Sequence, residues 1–262
     1  EALYILREAH AVNQSDPEVE YLMALCYEQM SRYDQAIERA RRATQRTANE
    51  PRYLRKLGDL HAKQGQWAEA QQTYHQLSKL QPQDRSLAVA LGQSALNLKE
   101  YENAMTAFRH AVLLDGFDPE ANRLLAQSIA LHFRPFLLAQ LAQAELPLAP
   151  NFNAVVTEGL DAAQRAYDYS SGDHASTEVL AHLYLLKQEP ETAFALLQRT
   201  DPALFGRALF GELDGIVLLA VGDSARAVEA FQHAARTNKD NPLLWLAYSV
   251  ASSEMGNLEE AL

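Results

Sequence analysis

The sequence predicts an all-α fold, a solenoid of antiparallel helix pairs. Ala36, Ala70 and Ala104 lie 34 residues apart, and each follows an aromatic residue (Tyr33, Trp67, Tyr101) by three positions. Ala193, Ala227 and Ala261 repeat the same step further along. Composition agrees: Ala, Leu and Gln are abundant and only 11 of 262 residues are glycine, a mix that favours helix because unbranched side chains lose little freedom there. A fixed period of this length marks stacked units, none of which can bury its apolar face alone.

The unit from Pro51 to Asp84 shows the elements in order. Leu54, Leu57 and Gly58 share one face of a first helix. Gly65 breaks that helix, and Trp67 covers the turn. Ala70, Tyr74 and Leu77 share one face of a second helix, which Pro82 ends because proline lacks the N–H a helix interior requires. Gly58 and Ala70 let two backbones approach, while Leu57, Trp67 and Tyr74 fill the space around the crossing. The next unit repeats the pattern with Leu91, Gly92, Tyr101, Ala104, Phe108 and Ala111.

These residues resemble the tetratricopeptide repeat, whose signature W-x2-L-G-x2-Y is followed by A, F, A and P. Leu57-Gly58, Leu91-Gly92, the aromatic–alanine pairs and Pro82 match it. Leu54 and Ala88 stand where the family has its first Trp, and Met23-Ala24 replaces Leu-Gly. The resemblance implies a TPR-type α-solenoid, a right-handed superhelix of antiparallel helix pairs. Its first helices would line a concave face where partner peptides lie.

Three blocks are expected. Residues 1–131 form an N-terminal repeat block: a half repeat with Ala2, Leu6 and Ala9 on its packing face, units over 17–50, 51–84 and 85–118, and a first helix opened by Asp118-Pro119. Residues 132–172 lose the register. Leu138 stands where a small residue is due, Pro135 takes the place of the turn aromatic, and Pro147 and Pro150 lie in an apolar linker. A helix over 151–170 follows, with Val156, Leu160 and Tyr167 expected to dock it, and Ser171-Gly172-Asp173 supplies a turn and helix cap. Residues 173–262 return to register as units over 174–200 and 206–240 and a third from Pro242, cut off as in a piece of a longer array or complex.

Charge and cysteine usage narrow the function. Net charge is −11. Residues 1–131 hold 15 Lys and Arg against 17 Asp and Glu; residues 132–262 hold 8 against 17. An acidic chain is a poor neutraliser of phosphates, which argues against nucleic acid as a partner. The basic run from Arg39 to Lys56 lies largely on a second helix and reads as a solvated face. No apolar run approaches the ~20 residues that span a bilayer. The single cysteine, Cys26, rules out an internal disulfide, which fits the cytoplasm and is compatible with the periplasm.

No constellation of chemistry emerges. The eight histidines form no HExxH motif and no metal spacing with cysteine. Gly206, Gly211 and Gly215 do not spell a phosphate loop and read as close-packing positions; Ser171, Asp173 and His174, adjacent in one turn, cannot form a relay. The expectation is no enzyme, no metal and no cofactor.

The candidate sites come from the register. Positions 2, 5, 9, 12 and 13 of each first helix point to the concave face that the resemblance implies. In the N-terminal block they give Arg52, Arg55 and Lys63, then Arg123 beside Gln127, a cationic spot suited to a carboxylate. In the C-terminal block they give Leu186, Ile216, Leu219, Leu243, Leu246 and Val250. Either a partner's amphipathic helix fills that apolar stripe or the protein covers it; the acidic surroundings favour a partner with flanking Lys or Arg. The clamp variant that grips chaperone C-termini is not matched, since Tyr21, Leu25, Ala90 and Glu120 occupy its positions.

Three functions fit: a scaffold holding partner segments, the substrate-recruiting arm of a larger enzyme such as a glycosyltransferase, or an envelope protein of pilus assembly or polysaccharide export. The register itself is testable. Gly58→Leu and Ala70→Trp each insert bulk where helices cross, so each should cost ~1–3 kcal/mol or more by urea denaturation. Unchanged midpoints in both would mean the crossing is misplaced.

Overall fold

The computed structural model describes residues 2–141, 147–200, 212–237 and 242–256. Among them are fourteen helices and no strand. Contacts divide the chain into two compact units, Glu1–Asp115 and Gly116–Leu262. That division falls earlier than the expected boundary at residue 131.

Unit 1 contains α1 (Ala2–Val12), α2 (Pro17–Gln29), α3 (Tyr33–Arg46), α4 (Pro51–Lys63), α5 (Trp67–Leu80), α6 (Arg85–Asn97) and α7 (Tyr101–Leu114). Helix α1 leads, followed by three pairs, α2–α3, α4–α5 and α6–α7, and each pair stacks on the next through α3–α4 and α5–α6. Helix starts recur with the period. Asp16, Glu50 and Asp84 each accept a backbone N–H from the first turn they precede, at 2.9, 3.4 and 3.0 Å, satisfying donors that have no partner within the helix. The turn inside each pair reverses through one left-handed residue, Ser31, Gly65 or Lys99, with φ of 56°, 69° and 61°. Only Gly65 meets that geometry without a Cβ penalty.

The crossing inside each pair is set by one small residue on the first helix and one side chain 16 positions later on the second. A Cβ built on Gly58 would lie 2.5 Å from the Tyr74 ring, and one on Gly92 2.6 Å from the Phe108 ring. The rings therefore rest on bare backbone. Tyr74 also donates its hydroxyl to Asp59 at 2.8 Å. Where the first helix has Ala24, the partner position is Ala40, and both are fully buried in the same apolar cluster.

Unit 2 contains α8 (Pro119–Leu141), α9 (Phe152–Tyr169), α10 (His174–Leu186), α11 (Pro190–Thr200), α12 (Glu212–Ala220), α13 (Ser224–Thr237) and α14 (Pro242–Glu254). Gly215 repeats the crossing rule, its Cβ position 2.4 Å from the Phe231 ring, and Ala181 pairs with buried Leu197. The left-handed turn residue also returns at this spacing, as Gln188, Gly222 and Gly256. Positions Gly206, Gly211, Leu258 and Ala261 lie outside the described residues.

Residues 132–172 differ from an irregular insert. Helix α8 runs through Pro135 to Leu141, and α9 packs along it, so both arms form a lengthened helix pair. Pro135 removes one hydrogen bond from α8, but the helix is held on both sides. Phe133 and Phe136 each meet the Phe152 ring at 4.8 Å, and Leu137 and Ala139 are buried. Of the expected docking residues on α9, Val156 is buried while Leu160 and Tyr167 are half-buried. Gly159 sits at a triple junction, its Cβ position 3.1 Å from both Ile129 on α8 and Leu183 on α10.

The ring-on-glycine contact makes a two-part prediction. Gly92→Ala should lower stability by about 1–3 kcal/mol, because the new methyl meets Phe108. In the double variant Gly92→Ala/Phe108→Leu the added methyl should cost less than it does alone. Strict additivity in urea denaturation would show that the two positions do not meet.

Candidate functional site

The first-helix face of unit 1 carries the expected cations, and the fold pairs each of them. Arg52 bonds Glu50 and Glu18, both at 3.1 Å, and its guanidinium lies 5.8 and 5.6 Å from the Tyr21 and Tyr53 ring centres. Arg55 pairs with Asp84, and Lys56 (2.9 Å) and Lys63 converge on Glu28. The spot expected to attract a carboxylate is therefore a ladder of internal ion pairs linking α2, α4 and the start of α6. Composition hinted at this, since the N-terminal block is nearly charge-balanced. Burial works to raise the Glu28 and Asp84 carboxyls, yet Lys56 and Lys63 around the first, and Ser86, the Leu87 amide and Arg55 around the second, hold both below their ordinary values. Tyr53 is pushed up to about 12 by burial and by its hydrogen bond to Glu18.

In unit 2 the apolar stripe is mostly core. Leu186 is 1% exposed, and Ile216 and Leu219 are 7% exposed each. These three have little surface to offer a partner, a correction to their place among the partner-binding residues; of the two alternatives, cover by the protein itself fits them. The reason lies in the packing: α12 touches α10, α11, α13 and α14, and α14 touches α8 as well. Leu246 and Val250 are half-buried and keep some surface. The side chain of Leu243 lies outside the described residues.

The same register places a polar cleft in unit 2. Arg123 and Gln127 on α8, Ala175, Glu178 and His182 on α10, and Glu212 at the start of α12 all line it, and its volume is about 180 Å³. Arg134, further along α8, pairs with Glu212 across it. Glu178 and His182 were not among the expected site residues, although positions 5 and 9 of α10 name them. The leucines at positions 12 and 13, Leu185 and Leu186, carry the stronger apolar signal on that helix. Desolvation raises the Glu178 carboxyl, opposed in part by His174, Arg123 and Arg134. Burial lowers the His182 imidazole to about 4, so it is neutral near pH 7, with Nδ1 3.1 Å from the Glu178 carbonyl oxygen.

A larger cleft, about 690 Å³, opens in unit 1 between α5 and α7 over α6. Its floor includes Leu87, Ala88, Leu91 and Ala95, and Gln72, His75, Asn103 and His110 are among its walls. It is wide because Ala88 and Ala95 stand where Leu54 and His61 fill the previous repeat. Among the described residues no group of three or more His, Cys, Asp or Glu could hold a metal ion, and no helix is long and apolar enough to cross a membrane.

Comparisons place this geometry among known folds. Residues 55–122 match a tetratricopeptide repeat model, and residues 17–84 match one for YpiA-like C-terminal tetratricopeptide repeats. BBSome complex member BBS4 of Bos taurus is 24% identical in an alignment covering all of this chain. The chain spans about half (53%) of that relative's length. A tetratricopeptide repeat protein from Parabacteroides merdae ATCC 43184 superposes with a TM-score of 0.58 at 14% identity, covering 95% of this chain and 91% of the other. YrrB, described as a TPR protein with an unusual peptide-binding site, gives 0.60 at 14%, covering 87% and 97%.

The His182 environment sets a pH dependence. Its folded-state pKa is depressed, so the unfolded chain binds the extra proton first as pH falls. Stability should therefore drop as pH falls from about 6.5 towards about 4, by on the order of 2 kcal/mol. Glu178 opposes this: its raised pKa favours the fold at low pH, a contribution lost as pH rises through that value. His182→Gln should flatten the drop in urea midpoint between pH 7 and pH 5. An unchanged drop would place its origin elsewhere.

Proposed function

Because the chain is a tetratricopeptide repeat protein, we propose that it works as a non-catalytic scaffold whose first-helix faces hold segments of partner proteins. The fold in general is that of a protein-interaction scaffold, and its repeats bind peptides and proteins. The observation carrying the narrower reading is convergence: residues at positions 5 and 9 of successive first helices, which helix crossing does not require, meet in one cleft in unit 2. Arg123, Gln127, Glu178 and His182 supply hydrogen-bonding groups there, and Leu246 and Val250 lie on α14, two first helices beyond α10. In unit 1 the exposed Arg52 over Tyr21 and Tyr53 is a second anchor, of the residue types that dominate binding energy at interfaces.

Two relatives fit this reading by description, one a member of a multiprotein complex and one with a peptide-binding site. The readings as a recruiting arm of an enzyme or as an envelope assembly protein share the same step, capture of a partner segment. They differ in what is joined to it.

Site-specific photocrosslinking in cells tests the reading. A photoreactive residue at Gln93 or Gln127, on first helices, should capture discrete partner proteins. The same residue at Gln76 or Gln198, exposed on second helices, should capture few. Capture from Gln76 and Gln198 alone would overturn the assignment of the binding face.

A further inference from the structure

The unit 2 cleft holds two arginines and two glutamates, and only half of them are joined. Arg134 pairs with Glu212. Arg123 makes one hydrogen bond, to Gln127 Oε1 at 3.3 Å, and no ion pair with a described carboxylate. The Glu178 carboxylate accepts no hydrogen bond from any described residue. Both are partly buried, both line the cleft, and both occupy position 5 of adjacent first helices. Partly desolvated charges that stay unjoined each lack a strong partner.

The cleft's lining carries two cations and two anions, and His182 beside them is neutral near pH 7. A carboxylate drawn to Arg123 is repelled by Glu178, and an ammonium drawn to Glu178 is repelled by Arg123. A group that accepts from one and donates to the other satisfies both. A carboxamide does so, with its C=O and N–H₂ on one planar carbon. The volume, about 180 Å³, is below the ~300–1,000 Å³ of whole-ligand pockets and suits a single side chain. Ala130, Leu131, Val179 and Leu213 wall the cleft and would cover an aliphatic stem.

We propose that this cleft takes the carboxamide of an Asn or Gln side chain from a partner segment, Arg123 donating to its carbonyl oxygen and Glu178 accepting from its N–H. The inference rests on the scaffold reading and names what the unit 2 face recognises.

Four capped tripeptides test it, acetyl-Ala-Xaa-Ala-dimethylamide with Xaa as Gln, Glu, Lys or Ala, so that only the Gln peptide carries a primary carboxamide, titrated into the whole chain and followed by amide chemical shifts. The Gln peptide should bind tightest, with shifts around residues 123–134 and 175–182. Arg123→Gln and Glu178→Gln should each weaken it about tenfold, the loss of one charge-assisted hydrogen bond. Preference for the Glu peptide, with tightening in Glu178→Gln, would make this a carboxylate site and overturn the proposal. Preference for Lys, with tightening in Arg123→Gln, would overturn it in favour of a cation site. The peptide ranking on the unaltered protein decides the matter even if a variant fails to fold. If no peptide shifts the cleft while photocrosslinks from Gln127 persist, the carboxamide proposal falls and the scaffold reading stands. If those crosslinks are also absent from both first-helix positions, both fall.

Discussion

A ring resting on bare backbone is the contact on which the rest of this structure depends. Tyr74 on Gly58, Phe108 on Gly92 and Phe231 on Gly215 are one interaction used three times. Without a Cβ on the first helix, the two axes can approach until the aromatic face meets the main chain, and the ring then fills the space a wider crossing would leave empty. Volume is traded across the crossing. Where the first helix carries Ala24 or Ala181, the facing position carries Ala40 or Leu197, which are smaller than a ring. Any change on one side must therefore be answered on the other. That coupling is what keeps a 34-residue register recognisable across otherwise dissimilar units.

The constraint explains what was legible in the sequence. Gly58, Gly92, Ala70, Ala104 and the aromatics after them are fixed by geometry, so the pairs and their order could be read directly. The α8–α9 pair could not, because its crossing uses a different solution. Gly159 on the second helix, rather than a glycine on the first, meets Ile129 and Leu183. The aromatic weight lies at one end, in Phe133, Phe136 and Phe152. A proline that ends a helix in isolation can be carried inside one when packing on both sides is this extensive, and local sequence does not report that packing.

The site was less legible than the fold, for an electrostatic reason. Position and residue type gave Arg52, Arg55 and Lys63 as cations on the first-helix face. Whether such a cation is available depends on carboxylates brought near it from a neighbouring repeat. Glu18, Glu28 and Asp84 lie 28 to 35 residues from the cations they meet. The exposed Arg52–Glu18 pair adds little stability, ~0–1 kcal/mol, while the pairs on Glu28 and Asp84 are partly buried. Their effect is to give each of these three cations an internal carboxylate, although Arg52 stays exposed over its two tyrosines. The leucine stripe is a different case: apolar residues at groove positions cannot be told from core by sequence when further helices pack against theirs, as α8 does on α10 and α14 on α12.

Stacking and the proposed recognition use different positions of the same helix, and this separation makes the repeat adaptable. At roughly 100° per residue, position 8 of a first helix lies about 60° around from position 5. The small residue at the crossing and the side chain at position 5 are therefore neighbours on the helix surface that answer to different constraints. Position 5 holds Tyr21, Arg55, Val89, Arg123, Glu178, Glu212 and Leu246 in successive first helices, a spread of chemistry that position 8, with only Gly, Ala and Ser, does not tolerate. In unit 1 the charge at this position joins one repeat to the next, as Arg55 does with Asp84. In unit 2 Arg123 and Glu178 are adjacent in the row yet make no ion pair with each other. A position free of packing duty can carry a charge either as internal mortar or as an open contact. Only the second arrangement leaves a protein something to recognise with.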